Sequence, residues 1–296
     1  MAVVAAYAAM CLIWGTTWLG IKISLAYVPP IAGAGLRFTL AGLALYAVAV
    51  WRGKLVRPSE LPWKLVLVLA AFLFGANYIL TYLAETRLDS GLVSVLFGTL
   101  PFFVFALGTF AGERTTPIVW VAAAVAFAGV AVISLSGQVR GSPLYALAVI
   151  GAAASSAFAN VYAKRHSGHD ALVTLPPAML LAGLVMTGIG ALAEPVSWTR
   201  AFSTPSLEAI AYLALLGSGV AFFLNIWVLQ RIPVWIVGLT SLIIPVIALF
   251  VGAVAGGEHV SLREASGSLL VIAGVGVALV RGRNERSHPR QSAADA

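Results

Sequence analysis

The chain has 296 residues, 60% of them apolar and 10% charged, which is more hydrophobic surface than one soluble domain of that size can bury. A bilayer is the solvent such a chain requires, and at about 20 apolar residues per helical crossing there is room for ten crossings with short loops. Most soluble enzymes are thereby excluded, and the formal net charge of +7 is scattered between apolar runs instead of forming a nucleic-acid-binding patch.

In chain order, MAVVAAYAAMCLIWG opens an apolar run without the basic leader of a secretory signal, so it is read as an uncleaved first helix. The single cysteine, Cys11, lies within it and is expected to be a small buried apolar side chain. Ten segments follow at about 2–24, 30–51, 63–84, 89–110 and 116–136, then 143–163, 172–192, 207–229, 234–255 and 265–281. They are expected to be helical, because open strand edges find no partners in lipid and the alternation of a membrane barrel is absent. The fold class expected is an all-α integral membrane protein of ten transmembrane helices. Five fall in residues 1–137 and five in 143–281, and the polar tail 282–296 is expected to be disordered.

Lys and Arg set the orientation. With the N-terminus cytoplasmic, the inner loops and tail carry Arg52, Lys54, Arg57, Lys64, Arg114, Lys164, Arg165, Arg231, Arg281, Arg283, Arg286 and Arg290. The outer loops carry Arg87, Arg140, Arg200 and Arg263. Twelve against four places both termini in the cytoplasm. Trp51, Trp63, Trp120, Trp227 and Trp235 fall near inner helix ends, where indole rings sit at the headgroups. Trp14 and Trp18 do not, and need another explanation.

A shift of 144 residues superposes Gly75 on Gly219, Arg87 on Arg231, Pro101 on Pro245, Gly108 on Gly252 and Gly112 on Gly256. One inserted residue then brings Glu113 onto Glu258 and Gly129 onto Gly274. Each half has an odd number of segments, so the two repeats are expected to be inverted relative to each other, as in many secondary transporters. Pro101 and Pro245 fall inside matching segments and are expected to act as hinges near a midplane site. The pairs Gly108/Gly112 and Gly252/Gly256 are read as close helix packing.

WGTTWLGIKIS, LRFTLAGLALY, FALGTFAGERTT and AGVAVI resemble the EamA-type proteins of the drug/metabolite transporter superfamily over nearly the whole chain. AGGEHVSLRE resembles the same glycine-glutamate loop in the second half, which departs further from the pattern, with Leu184 near the place of Arg37. The resemblance implies a bacterial inner-membrane exporter of small metabolites, with amino-acid exporters as its functional analogue. It also implies a central cavity lined by helices 1, 3, 4, 6, 8 and 9.

Intramembrane polar groups are the remaining signal, because each is costly unless paired or facing water. Arg37, about 6 Å outward from the middle of segment 2, is read as attracting a substrate carboxylate, or as pairing with Glu85 or a carbonyl and so locking helices together. Trp14, Thr17 and Trp18 share a region of the first helix, Tyr78, Tyr82 and Glu85 form one stripe of the third, and Asn77 and Thr81 form the stripe beside it. With Asn160 and Asn225, these rings, amides and hydroxyls are expected to line a cavity suited to a small zwitterion. Lys22 and Glu85, near outer helix ends, are candidate gate residues. No phosphate loop, metal motif or intramembrane nucleophile-base pair is present. The expected partners are therefore a small-molecule substrate and the lipid bilayer, with no cofactor, metal, ATPase subunit, nucleic acid or enzymatic activity. Export of amino acids by alternating access is the function expected. A sugar-phosphate or nucleotide-sugar exchanger and a passive channel are the alternatives.

Overall fold

The structure is a computed structural model that describes residues 1–88, 90–109, 112–113, 115–134, 143–256 and 261–287. Its principal helices are α1 (Ala2–Leu25), α2 (Pro30–Trp51), α3 (Trp63–Glu85), α4 (Ser90–Phe97 continued by Leu100–Gly108) and α5 (Pro117–Ser134). They continue with α6 (Pro143–Arg165), α7 (Ala171–Ala193), α8 (Thr204–Leu229), α9 (Val234–Gly238 continued by Thr240–Gly256) and α10 (Leu262–Ser287). Seven are long and apolar enough to cross a membrane: α1, α2, α3, α6, α7, α8 and α10. The apolar helices Leu92–Gly108, Pro117–Ile133 and Val234–Phe250 are shorter.

Helix ends follow local chemistry. Pro30 opens α2, where a missing amide is harmless, and the Asp170 carboxylate caps α7 by accepting from the Leu172 amide at 2.9 Å. Gly53, at φ +63°, ends α2: its amide donates to the Val50 carbonyl at 3.0 Å, and that of Lys54 to Ala49 at 2.8 Å. The same glycine-terminated turn recurs at Gly112, φ +78°, with the Gly112 amide on Thr109 at 3.1 Å and the Glu113 amide on Gly108 at 3.0 Å. The turn aims Glu113 across the molecule. Its carboxylate accepts from the Val234 amide at 2.9 and 3.1 Å and so caps the first turn of α9.

Two antiparallel pairs, α2 with α7 and α5 with α10, make the largest helix contacts. Glycines let their backbones meet. A Cβ on Gly42 would lie 2.9 Å from the Leu180 amide nitrogen, and one on Gly183 would strike that of Thr39. A shift of 141 carries Gly42 to Gly183 and Thr39 to Leu180, so these are one contact made twice. Registered this way, Ala178 and not Leu184 stands where α2 has Arg37. In the other pair a Cβ on Gly129 would lie 2.6 Å from the Gly267 carbonyl oxygen, and one on Gly274 2.5 Å from that of Ala122. A shift of 145 exchanges those contacts.

The third helix of each half departs from α geometry at the same place. Leu69–Ala76 in α3 and Leu213–Val220 in α8 are π-helical, and both their bounds and the flanking Asn77–Glu85 and Ala221–Leu229 are separated by 144 residues. Interruptions in α4 and α9 are less alike. The first falls at Gly98–Thr99, with Pro101 in the opening turn of Leu100–Gly108, whereas the second falls at Leu239, leaving Pro245 inside Thr240–Gly256. Pro101 thus begins a helix instead of bending one.

Two expectations are revised. Trp235 is buried, 3% exposed, with its ring packed in the core instead of presented to lipid, whereas Trp51 and Trp63 are exposed. Helix α10 continues to Ser287, six residues into the stretch read as tail, through arginines and glutamate that favour helix. Residues 288–296 lie outside the described residues.

The seams make a stability prediction. Gly183→Ala and Gly274→Ala drive a methyl into backbone and should each cost about 1–3 kcal/mol. Gly188→Ala and Gly276→Ala, which meet nothing within 4 Å, should be neutral or gain about 0.5–1 kcal/mol from helix propensity. Thermal denaturation in detergent checks the contrast.

Candidate functional site

A widened helical turn leaves carbonyls that the next turn does not claim in the ordinary way, and in hydrocarbon they must still be satisfied. In α3 the Asn77 amide donates to the Leu73 carbonyl at 3.2 Å. In α8 the equivalent carbonyl, Gly217, accepts from Trp14 Nε1 and from Arg37 Nη2, both at 3.2 Å. Arg37 Nε donates to Ser218 Oγ at 2.7 Å, and Nη1 reaches the Tyr82 hydroxyl at 3.5 Å. The guanidinium lies 4.9 Å from the centre of the Tyr78 ring. A side chain at Gly217 would collide with this arrangement, its Cβ 2.8 Å from Thr17 and 3.3 Å from Arg37.

Arg37 is 1% exposed, yet no carboxylate among the described residues lies within ion-pairing distance of it, Glu85 included. It adjoins a cavity of about 100 Å³ and is the one charged side chain among the described residues lining it. That volume holds several waters or a small organic molecule. One wall is aromatic, with Trp14 against Phe222 at 5.2 Å and Phe222 against Tyr78 at 6.2 Å. Part of the lining is polar: Asn225 Nδ2 donates to Asn160 Oδ1 at 3.0 Å, and Asn160 Nδ2 to the Ser156 carbonyl at 2.9 Å.

Cavity-lining positions repeat with the chain. Trp14 and Ser156 correspond by a shift of 142, and Tyr78/Phe222, Thr81/Asn225, Ser94/Gly238, Phe97/Ser241 and Leu100/Ile244 by 144. The lining helices are α1, α3, α4, α6, α8 and α9, with α2 adding Arg37 alone. Of the residues singled out in the sequence, Trp14, Thr17, Arg37, Asn77, Tyr78, Thr81, Asn160 and Asn225 reach the cavity. Tyr82 is buried behind it on Arg37, and the side chain of Trp18 lies outside the described residues. Lys22 is exposed and Glu85 half-buried, away from the lining, as are Pro101 and Pro245. Ser94, Ser156, Phe222, Thr240 and Ser241 also line it and were not singled out. Carrying the first-half candidates through the repeat shift finds Ser156 from Trp14 and Phe222 from Tyr78.

The sequence profile of the EamA-like transporter family matches residues 1–135 and again 143–280. The chain belongs to this family. Among its EamA-type relatives, an uncharacterized inner membrane transporter, YedA, of Escherichia coli (strain K12) is 28% identical over 86% of this chain and 83% of its own length. A probable amino-acid metabolite efflux pump of Salmonella typhimurium is 30% identical over 89% of this chain and 90% of its own. A crystal structure of a protein 22% identical superposes with a TM-score of 0.83 over 96% of this chain and 98% of the other, which shows a shared fold.

In this EamA protein the α8–α9 connection, at one end of the cavity-lining helices, is tied down by hydrogen bonds. Glu113 caps Val234 there, Lys164 Nζ donates to the Leu229 and Ile232 carbonyls at 2.8 and 2.9 Å, and the Tyr7 hydroxyl donates to Ile236 at 3.0 Å. Val104 packs on Gly238, where an added Cβ would lie 3.2 Å away. The helix positions of the two prolines predict unequal effects. Pro245→Ala can restore an interior amide hydrogen bond, worth about 1 kcal/mol in a membrane protein. Pro101→Ala, in the opening turn, should change thermal stability by less than about 0.5 kcal/mol, and paired melting curves check both.

Proposed function

We propose that this EamA-family protein is a secondary transporter that exports amino acids or similar small metabolites across the bacterial inner membrane. It works by alternating access between two inverted five-helix halves, residues 1–137 and 143–281, that together supply ten crossings. The observation that carries the substrate reading is Arg37, a buried cation at the cavity wall with no carboxylate partner among the described residues. A substrate carboxylate supplies the missing charge through the guanidinium fork. The rings hold an apolar side chain, and the outward amide of Asn225, with Asn77, accepts from an ammonium group. A lone cation suits a carboxylate better than a phosphate, which weighs against a sugar-phosphate exchanger. The family relatives named as amino-acid metabolite efflux pumps support the same direction.

The inverted-repeat reading is supported by the doubled contacts across α2/α7 and α5/α10 and by π-helical stretches 144 residues apart. Hinge motion is assigned to the interruptions at Gly98–Thr99 and Leu239, which Pro101 and Pro245 flank. The basic asymmetry supports cytoplasmic termini, which makes the tied connection a cytoplasmic one. In a Cys11→Ser background, a cysteine at Ser197 should react with an impermeant maleimide in intact cells and one at Ser59 should not. The reverse pattern would sink the orientation.

Counterflow in proteoliposomes tests the transport reading: preloaded unlabelled amino acid should accelerate uptake of labelled amino acid. Its absence, with downhill flux intact, would mean a channel. An apolar amino acid should also raise the thermal midpoint of the wild type more than its amide does. In Arg37→Gln that preference should vanish, with the amino acid binding about 10- to 100-fold more weakly. Equal binding of acid and amide to the wild type would remove Arg37 from the site.

A further inference from the structure

The turn that ends α8 is built twice in this chain. After α8 the amides of Arg231 and Ile232 both donate to the Val228 carbonyl, at 2.8 and 3.0 Å. After α3, 144 residues earlier, the amides of Arg87 and Leu88 both donate to Ala84, at 2.9 and 2.8 Å. The shift of 144 that relates the two turns takes Glu85 to Leu229 and Leu88 to Ile232. The Lys164 ammonium donates to the carbonyls of Leu229 and Ile232, at 2.8 and 2.9 Å, as expected for a cation at a helix C-terminus.

The counterpart of Lys164 is Lys22. A shift of 142 takes one to the other, as it takes Trp14 to Ser156 on the cavity wall, and the family profile restarts with the same shift, at residues 1 and 143. Both lysines lie in the last turn of the first helix of their half. Lys22 is exposed and makes no hydrogen bond or ion pair among the described residues, though it is near enough to Glu85 to act on its carboxylate electrostatically. Glu85 Oε1 is buried without a hydrogen-bond partner. One side therefore holds a lysine seated on a helix end, and the other holds the same helix end with its lysine in water.

We infer that Lys22 and Lys164 are exchanging latches. When the cavity opens to the cytoplasm, Lys164 leaves Leu229 and Ile232, and Lys22 closes the outer mouth by donating to the carbonyls of Glu85 and Leu88. An ammonium has three donors, and the third goes to the Glu85 carboxylate. Because one lysine enters water as the other leaves it, most of the desolvation cost cancels across the cycle.

The inference rests on the alternating-access reading, and its test separates the two. A cavity cysteine, Ser241→Cys in a Cys11→Ser background, is labelled with an impermeant maleimide in inside-out vesicles, where it reacts only when open to the cytoplasm. Lys22→Gln, at an exposed position, should slow labelling about tenfold, the loss of one or two charge-assisted hydrogen bonds. Lys22→Arg, which keeps the donors, should restore it, and Lys164→Gln should speed it. Labelling unchanged by Lys22→Gln but altered by Lys164→Gln would overturn the exchange while leaving the carrier intact. Absence of counterflow in the wild type would instead remove the alternating-access reading itself.

Discussion

A backbone carbonyl in hydrocarbon has no water to turn to, and much of this structure follows from where its helices leave carbonyls to be satisfied. At the π-helical stretch of α8, Trp14 and Arg37 converge on the Gly217 carbonyl, and at that of α3 the Asn77 side chain is held on Leu73, as Asn160 is on Ser156 in the regular α6. Two of the polar groups at the cavity are thus fixed on the irregular stretch of α8. Gly217 serves twice, offering its oxygen and, by lacking a side chain, the space to reach it.

Around that centre the helices divide by task. The α2/α7 and α5/α10 seams bring backbone onto backbone through Gly42, Gly183, Gly129 and Gly274, so neither pair has room to slide. The remaining six helices enclose the cavity, and the irregular ones, α3, α4, α8 and α9, are all among them. The lining is paired by position but only partly by chemistry: Tyr78 matches Phe222 and Leu100 matches Ile244, whereas Trp14 is paired with Ser156 and Phe97 with Ser241. The first half supplies the cation and most of the rings, and the second half supplies small polar groups.

Helix positions were legible because long apolar runs have one solution in lipid, and the π-helical stretches keep the 144-residue spacing that glycine, proline and arginine mark in the sequence. Eight cavity residues could be named from the sequence because polar or aromatic groups at membrane depth need a reason to be there. That a carbonyl could hold Arg37 was legible, but which one was not. A sequence offers Glu85 as the obvious counter-charge, whereas the structure gives Ser218, Gly217 and Tyr82, since a π-helical carbonyl carries no signature in residue type. The interruption of α4 two residues ahead of Pro101 was equally hidden, because Gly98 and Thr99 are ordinary residues of membrane helices. Serines such as Ser156 and Ser241 escaped notice for a related reason: they are small enough to pass as packing residues.

Helix α2 contributes only Arg37 to the cavity, and the rest of its buried face is committed to the seam with α7 and to the core. The charge is therefore mounted on the frame and not on the helices that border the mouths. On the proposed alternating-access reading, a substrate held by that anchor meets the same field whichever mouth is open, so the anchor stabilises both states alike and biases neither. Such a site does not set the direction of travel. Direction falls to the solute concentrations on the two sides and to whatever asymmetry the mouths themselves possess.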